Sequence, residues 1–262
     1  VLLLESTYGD REREPEADMK KRLKEIVERV VRRGGKIIIP AFSVGRTQEI
    51  VYHLNNLFNE GQLPPIPVYV DSPLSTNVTQ VFRAHPEVFN RETRDLLRED
   101  PNVFGFERLT YVENVEESKK LNGLRHPAII IAASGMCEAG RILHHLRNSV
   151  EDPKNLILIV GYMAENTLGR RIAEREETVR IFGQPHRLRA EVEVIHGLSA
   201  HADQRELKDF AFRVAERGNR LRHVFLVHGD DHQQLPLAEY LREALDGVQV
   251  HSPERGQSFE ID

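Results

Sequence analysis

Residues 36–51 of this chain read KIIIPAFSVGRTQEIV, and this stretch indicates the fold class. Three consecutive isoleucines at 37–39 leave no polar face, which is typical of a strand buried on both sides in a parallel sheet. From Ile50 onward the apolar residues recur at helical spacing, at positions 51, 54, 57 and 58. A short buried strand followed directly by an amphipathic helix predicts a βα unit.

The same unit repeats on both sides of this stretch. Apolar residues between positions 19 and 31 lie on one face of a helix that ends at Gly34 and Gly35. Residues 76–125 read as mainly helical. Further strands are predicted at residues 68–70, 128–131 and 156–160. Alternating strands and helices predict an α/β fold with a parallel sheet, in which ligands bind at the carboxyl ends of the strands.

The pattern changes after about residue 179. Residues 191–196 alternate polar and apolar side chains, as in a strand with one wetter face. Beyond them the sequence predicts a helix around 207–214, a strand at 224–227, a helix at 237–245 and a terminal strand pair around 248–250 and 259–261. The change of pattern at 185–198 is the best candidate for a domain boundary.

The composition of the 262 residues excludes several classes of protein. Lys+Arg total 36 against 41 Asp+Glu, and the net charge of −5 argues against a protein that binds nucleic acid through a strongly basic tail. No apolar run approaches the ~18 residues of a membrane span, so no membrane partner is expected. Cys137 is the single cysteine, which excludes an internal disulfide and favours a reducing, cytoplasmic compartment.

Two segments in the second half carry side chains suited to catalysis or metal binding. Residues 199–203 (SAHAD) precede a helix, which Asp203 can cap while His201 reaches solvent or a ligand. Residues 227–232 (VHGDDH) follow an apolar strand, so His228, the commonest type of metal ligand, lies at a strand's carboxyl end. Considered separately, the first segment is equally a plain helix cap and the second a surface turn.

A third segment, residues 5–10 (ESTYGD), also follows an apolar strand, and the Glu5 carboxylate could orient a histidine there or simply begin a turn. Together the three segments resemble the β-CASP family of the metallo-β-lactamase superfamily. The stretches that resemble its motifs A, B and C are residues 5–9, 199–203 and 227–230, and the intervening stretches that agree are 39–49, 133–136 and 161–169. The resemblance covers essentially the whole chain in the right order.

The resemblance implies a parallel-sheet β-CASP domain inserted into an incomplete metallo-β-lactamase (αββα) fold. Residues 1–10 would then be the last strand of the N-terminal metallo-β-lactamase part, and residues 11–198 the β-CASP domain. Residues 199–262 would be the C-terminal metallo-β-lactamase part, or RNA-specificity region. In the family the two lobes enclose a cleft that accommodates RNA.

The resemblance also implies the chemistry. Family members hold two Zn²⁺ ions; His228 would be a zinc ligand, and His201 would protonate the leaving oxygen while Glu5 holds its imidazole. A histidine in motif C favours RNA over DNA as the substrate. The glutamate in motif A favours an endonuclease in RNA processing or decay, with 5′ exonucleolytic cleavage left open. The products would be a 5′-phosphate and a 3′-hydroxyl, and a homodimer is compatible with this family.

Three residues are candidates for contact with the RNA. Ser134 and Gly135 form a turn at a strand end, where backbone N–H groups can approach a phosphate, and Arg46 offers a bidentate guanidinium. A tight βα turn and an ordinary first-turn arginine explain them equally well. His144 and His145 are expected on a helix surface.

The sequence departs from the family in one respect. The signature His-x-His-x-Asp-His is absent, and of the usual zinc ligands only His228 remains. We therefore expect an N-terminally truncated zinc ribonuclease whose 262 residues alone bind zinc poorly and cleave RNA negligibly. Two alternatives stay open, a non-catalytic RNA-binding or scaffold paralogue and an unrelated α/β hydrolase.

Overall fold

A computed structural model describes residues 1–100, 102–218 and 221–261 of the chain. The chain divides into two compact units. The smaller unit combines Val1–Glu14 with Ser199–Asp262, and the larger unit is Pro15–Leu198. Among the described residues, no helix has both the length and the apolar character needed to cross a bilayer.

Strands and helices alternate along most of the chain, as the sequence predicts. The strands are β1 (Leu2–Glu5), β2 (Lys36–Pro40), β3 (Val68–Asp71), β4 (Leu109–Tyr111), β5 (Ala128–Ala132), β6 (Leu156–Val160), β7 (Thr178–Ile181), β8 (Gln184–Arg187), β9 (Glu191–Ile195), β10 (His223–Val227) and β11 (Gln249–His251). The helices are α1 (Glu16–Arg32), α2 (Arg46–Asn59), α3 (Pro73–Ala84), α4 (Arg91–Glu99), α5 (Val115–Asn122), α6 (Ile142–Arg147), α7 (Leu168–Ala173), α8 (Gln204–Gly218) and α9 (Asp231–Ala244), with a 3₁₀ turn at Pro86–Val88.

The larger unit is built on a six-stranded sheet in the order β4-β3-β5-β2-β6-β9, and all its neighbouring strands are parallel. Successive side chains of β2 enter different cores. Ile37 and Ile39 pack into the core on one face, whereas Ile38 packs into the core on the other. Both faces are covered, so β2 shows no polar alternation, and the predicted α/β class with a parallel sheet is confirmed.

The smaller unit contains a three-stranded sheet in the order β1-β10-β11, again with parallel neighbours. Leu4 of β1 and Leu226 of β10 join a core with Leu207 of α8 and Leu237 of α9. The two chain segments of this unit therefore share one hydrophobic core. That core fixes the register that places Glu5 opposite Val227.

The structure differs from the sequence predictions in three places. Residues 76–125 include an edge strand, β4, which has only three residues and lacks a long apolar run. β7 and β8 form an antiparallel hairpin that was not predicted. The prediction of a terminal strand at 259–261 is wrong: the backbone there is not in a sheet, and Phe259 packs edge-on against Phe225 and His251.

Candidate active site

Three segments of the smaller unit bring Glu5, His201 and His228 together. Glu5 ends β1 and His228 follows β10, and because Glu5 pairs in register with the residue before His228, both emerge at the same edge of the parallel sheet. His201 lies in the loop before α8. A single parallel bridge between Tyr8 and Asp203 joins that loop to the segment after β1.

The Glu5 carboxylate is held by backbone groups on both oxygens. Oε1 accepts a hydrogen bond from the N–H of Ala202 at 2.9 Å, and Oε2 accepts one from the N–H of Thr7 at 2.9 Å. Oε2 also lies 3.4 Å from Nδ1 of His201, somewhat beyond the usual range of about 2.7–3.2 Å for an N–H···O bond. The two backbone bonds fix the carboxylate beside the imidazole, so Glu5 can orient the His201 ring.

The ring of His228 is oriented by Thr7, which is buried. The Thr7 hydroxyl donates to the carbonyl of His228 at 2.8 Å and lies 3.1 Å from its Nδ1. A hydroxyl has one proton, so Thr7 must accept from the ring, which places a proton on Nδ1. In the neutral ring, a proton on Nδ1 leaves Nε2 with its lone pair, as a metal-binding histidine requires.

The backbone around His228 is tightly constrained. His228 itself has a φ of 56°, in the left-handed region that few non-glycine residues adopt. A Cβ atom on Gly229 would lie 2.6 Å from Ser6 Oγ and 2.7 Å from the Ser6 carbonyl oxygen. Glycine is therefore required after His228 because the β1 segment passes so close.

The two imidazoles face each other across the site. The ring centroids of His201 and His228 are 5.2 Å apart, and the ligand atoms of Glu5, His201 and His228 all lie within 4.8 Å of one another. The side chain of His201 is 36% exposed and that of Glu5 is 29% exposed. The site is thus both preorganised and open to a substrate.

The loop that carries His201 is clamped by Arg13. The Arg13 guanidinium donates to the carbonyl of His201 at 2.7 Å and to the Glu206 carboxylate at 3.0 Å. The backbone N–H of Arg13 donates to the Asp203 carboxylate at 3.0 Å. Asp203 caps α8 as predicted, because it accepts from the N–H of Glu206, whose carboxylate accepts in return from the N–H of Asp203. Burial raises the pKa of Asp203, but the backbone bonds from Glu206 and Arg13 outweigh burial and hold that pKa below its usual value.

The imidazole and carboxylate groups of this site are types of ligand that bind zinc, but three of them are too few to hold two zinc ions. Two imidazoles and a carboxylate form one of the sets that bind a single catalytic zinc with an open position. Both oxygens of Glu5 already accept backbone hydrogen bonds, whereas the contacts of His228 with Thr7 involve Nδ1 and leave Nε2 available to a metal. His228 therefore fits a zinc ligand, and Glu5 fits an orienting role better.

The three residues predicted to contact RNA lie in the larger unit. Oγ of Ser134 accepts from the N–H groups of Glu138 and Ala139 within its own turn. A Cβ on Gly135 would lie 2.9 Å from the ring of Phe42. The guanidinium of Arg46 pairs with Glu49, and its side chain is 10% exposed. The structure therefore places Ser134 and Gly135 in one turn and Arg46 in a separate ion pair, and their contact with RNA stays a prediction.

One histidine prediction is wrong. His144 is exposed, but His145 is 1% exposed, because it shares the buried face of α6 with Ile142 and Leu146 at helical spacing. That spacing was the signal in the sequence that could have predicted its burial. Nε2 of His145 lies 2.6 Å from Oδ2 of Asp71 at the end of β3.

Asp71 is the centre of a buried polar cluster that the sequence did not reveal. Its carboxylate accepts from Ser118 Oγ at 2.5 Å and from the Arg141 guanidinium at 2.6 Å, besides its contact with His145. Burial raises the pKa of Asp71, but the hydrogen bonds from His145, Ser118 and Arg141 outweigh burial and lower it below its usual value. The cluster joins the end of β3 to α5 and to the start of α6.

Comparison with known proteins identifies the family of this chain. Residues 47–172 match the Beta-Casp domain, and residues 185–253 match the Zn-dependent metallo-hydrolase RNA specificity domain. A ribonuclease, TTHA0252 of Thermus thermophilus, is 37% identical over 262 residues, which are 100% of this chain and 58% of the relative.

Two archaeal relatives extend the comparison. An RNase J-like protein of Methanocaldococcus jannaschii is 30% identical over 100% of this chain and 59% of its own length. Transcription termination factor FttA of Pyrococcus horikoshii is 34% identical over 97% of this chain and 39% of its own length. The chain thus spans between about two fifths and three fifths of these relatives. On its two domain matches and the arrangement of Glu5, His201 and His228, the chain belongs to the β-CASP family of the metallo-β-lactamase superfamily.

Proposed function

We propose that this chain carries part of the active site of a zinc-dependent ribonuclease that acts, mainly endonucleolytically, in RNA processing or decay. The observation that carries the proposal is the contact between the Glu5 carboxylate and the His201 imidazole, with His228 alongside. The ribonuclease name of the Thermus thermophilus relative supports RNA as the substrate.

Each of the three residues has a distinct part in the proposed hydrolysis. His201 donates a proton to the oxygen that leaves phosphorus and becomes the 3′-hydroxyl, while the phosphate stays on the 5′ end of the other product. Glu5 keeps the His201 ring in the orientation for that transfer. His228 offers Nε2 as a zinc ligand. When bound, zinc supplies a hydroxide near neutral pH and stabilises the charge on the phosphate.

The count of zinc ligands limits what these 262 residues can do alone. A single open zinc site needs about three protein ligands, and the orienting role assigned to Glu5 leaves fewer than that here. A dinuclear centre therefore needs ligands that this sequence does not include. We expect the isolated chain to bind zinc weakly and to hydrolyse RNA negligibly.

The wider assignments are proposals of the same kind. The division of the chain at Pro15 and Ser199 supports residues 11–198 as the β-CASP domain, and residues 1–10 with 199–262 as the metallo-β-lactamase part. The single cysteine supports a cytoplasmic location. The proposal that the protein forms a homodimer rests on the family resemblance alone.

The test uses the natural full-length protein with its zinc, and a single-stranded RNA labelled at the 5′ end. His201→Ala should lower the cleavage rate about 10²- to 10⁴-fold through loss of the proton donor. Glu5→Gln should lower it about 10- to 10⁴-fold, because His201 remains but loses its orienting charge. His228→Ala should reduce the zinc content as well as the rate.

His126→Ala is the matched control, because His126 is exposed and lies in the larger unit. It should leave the rate, the zinc content and the thermal midpoint unchanged. Products that carry a 5′-phosphate and a 3′-hydroxyl are expected. Full activity in His201→Ala would remove the proposed proton donor, and RNA binding without any cleavage would favour the non-catalytic RNA-binding paralogue.

A further inference from the structure

The tip of the β7–β8 hairpin holds an aromatic residue in an unusual place. The two strands are joined by Phe182 and Gly183, with φ values of 50° and 76°. Positive φ at both central residues is typical of a type I′ turn, where asparagine and glycine are preferred and a bulky side chain is disfavoured. Phe182 is also 48% exposed. Neither turn geometry nor burial explains a phenylalanine at this position.

Two arginines and a histidine surround this ring. The His144 ring centroid lies 4.8 Å from that of Phe182, and Cζ of Arg147 lies 5.6 Å from the same centroid. The Arg180 guanidinium donates to the Gly183 carbonyl at 3.1 Å, at the same turn. His144, Arg147 and Arg180 are all exposed. We call these three residues and Phe182 the Phe182 patch.

The charges of this patch are not neutralised by neighbours. In the described part of the chain, no carboxylate forms an ion pair with Arg147 or Arg180. Elsewhere in the hairpin, Arg187 pairs with Glu177 at 3.2 Å, and the imidazole of His186 lies 3.1 Å from the Glu151 carboxylate. Unpaired positive charge is therefore concentrated at the tip, beside the exposed ring, although the chain as a whole carries −5.

We propose that the Phe182 patch binds single-stranded nucleic acid. A nucleobase stacks on the exposed side of Phe182, and the flanking phosphates contact the guanidinium groups of Arg147 and Arg180. Every base has a π-face, so such stacking tolerates many sequences, and arginine suits phosphate because its planar fork can donate two hydrogen bonds. An acidic peptide would neutralise the cations but leave the face of Phe182 in water.

This site rests on the proposed function for the identity of its natural strand, which would be the RNA substrate. It adds a contact in the larger unit that is separate from Glu5, His201 and His228 in the smaller unit.

The first test uses Phe182→Trp in the 262-residue chain, which contains no other tryptophan. Base stacking should quench the fluorescence of this tryptophan saturably on titration with a ten-nucleotide oligouridylate or oligoadenylate at low salt. The corresponding DNA oligonucleotides should quench it too, since base faces and phosphates are common to both. A polyglutamate peptide should leave the emission unchanged.

The second test compares Phe182→Asn with the unaltered chain. Asparagine suits a type I′ turn, so the thermal midpoint should stay the same or rise. Affinity for the labelled oligonucleotide, measured by fluorescence anisotropy, should nevertheless fall about 5- to 150-fold through loss of one stacked base. Loss of binding without loss of stability separates a ligand contact from a merely structural role.

The third test measures the dependence of binding on salt. Arg147→Gln and Arg180→Gln should each reduce the slope of log affinity against log salt by about 0.7, the value for one phosphate contact on a single strand. Arg91→Gln is the matched control: its side chain is 93% exposed on α4, and removing its charge should leave the slope unchanged.

Three results would overturn the proposal that the Phe182 patch binds single-stranded nucleic acid. The first is equal oligonucleotide affinity of Phe182→Asn and the unaltered chain. The others are quenching of Phe182→Trp by polyglutamate but not by RNA, and no oligonucleotide binding at low salt. Binding is measured here without hydrolysis. The proposed ribonuclease activity is tested separately through His201 in the full-length protein, so failure of one proposal is distinguishable from failure of the other.

Discussion

At the scale of single residues, the groups around the two site histidines matter as much as the rings themselves. Thr7 connects the two halves of the arrangement, because its N–H holds the Glu5 carboxylate and its hydroxyl holds the His228 ring. The first contact uses the backbone N–H, which every residue except proline keeps, whereas the second depends on the side chain. The two contacts can therefore be separated by experiment.

Thr7→Val should change which nitrogen of the neutral His228 ring carries the proton. Valine has nearly the shape of threonine but cannot accept from Nδ1, so the preference for a proton on Nδ1 should be lost. Ring nitrogen chemical shifts from NMR of the isolated chain report this directly. In the full-length protein we expect a loss of about 10- to 100-fold in zinc affinity. Thr7→Ser should behave like the unaltered chain, and identical shifts in the valine variant would contradict the assigned role of the hydroxyl.

Asp71→Asn should destabilise the larger unit in a way that depends on pH. The substitution removes the charge that pairs with Arg141, at a cost of about 3 kcal/mol near neutral pH. Because the pKa of Asp71 is lowered by folding, its contribution is fully present above the unfolded value of about 3.9 and is lost as the pH falls below it.

Urea unfolding at pH 7 and pH 3 measures this effect. The free energies of unfolding of Asp71→Asn and the unaltered chain should differ at pH 7, and this difference should be smaller at pH 3. Asp95→Asn is the control, because Asp95 forms only exposed ion pairs on α4, with Arg91 and Arg98. A difference of the same size at both pH values would show that the charge of Asp71 is not what stabilises the cluster.

At the scale of elements, the segments that follow β1 and β10 pass so close to each other that position 229 has no room for a side chain. Gly229→Ala should cost about 1–3 kcal/mol, because the added Cβ would overlap backbone and side-chain atoms of Ser6. Gly123→Ala serves as a control, since its Cβ would meet only the Lys120 carbonyl at 3.5 Å, an ordinary contact. Urea midpoints test this, with each variant compared with the transition of the same unit in the unaltered chain. An unchanged midpoint of the smaller unit in Gly229→Ala would mean that the β1 segment gives way without cost.

Another element-scale effect arises where His53 of α2 is buried near Glu16 of α1. Burial lowers the pKa of His53 to about 4, so the native state keeps it neutral where the unfolded chain, with a pKa of about 6.5, takes up a proton. His53 therefore does not lower the free energy of unfolding above about pH 6.5. As the pH drops from there toward 4, its burial lowers that free energy by about 3 kcal/mol.

His53→Phe should flatten that decline, because phenylalanine fills the site without titrating. Free energies of unfolding measured between pH 7 and pH 4.5 check this against His126→Phe, which changes an exposed histidine. The pKa of His251 is also lowered by burial, but its contribution is common to all three proteins and cancels in the comparison. An unchanged slope in His53→Phe would mean that His53 is not buried as a neutral group.

The elements also show what could be predicted from the sequence. Strands such as β2, β5 and β6 are runs of buried aliphatic residues, and a local pattern is enough to find them. β4 and the β7–β8 hairpin are short and partly exposed, and their pairing partners, not their own composition, make them strands. The burial of His145 is indicated by its helical spacing, but its polar partner Asp71 is 74 residues away and no local pattern connects the two.

At the scale of the whole molecule, the candidate site is assembled from the two ends of the chain. Glu5 and Ala202 are 197 residues apart in sequence yet share a hydrogen bond, and the larger unit is the insertion that separates them. From sequence, only the family resemblance relates these segments, because residue spacing does not predict a contact between segments that a whole domain separates. Two features of the site cannot be predicted from the sequence: the backbone hydrogen bonds to the Glu5 carboxylate, and the contact of the Thr7 hydroxyl with the His228 ring.

The two units have separate hydrophobic cores, so we expect them to unfold in separate transitions. Asp71 lies in the larger unit and Gly229 in the smaller one, which makes their variants markers for the two transitions. In differential scanning calorimetry, Asp71→Asn should lower one midpoint and Gly229→Ala the other, with additive effects in the double variant. A single transition lowered by both substitutions would contradict this, because it would show that neither core remains folded once the other has unfolded.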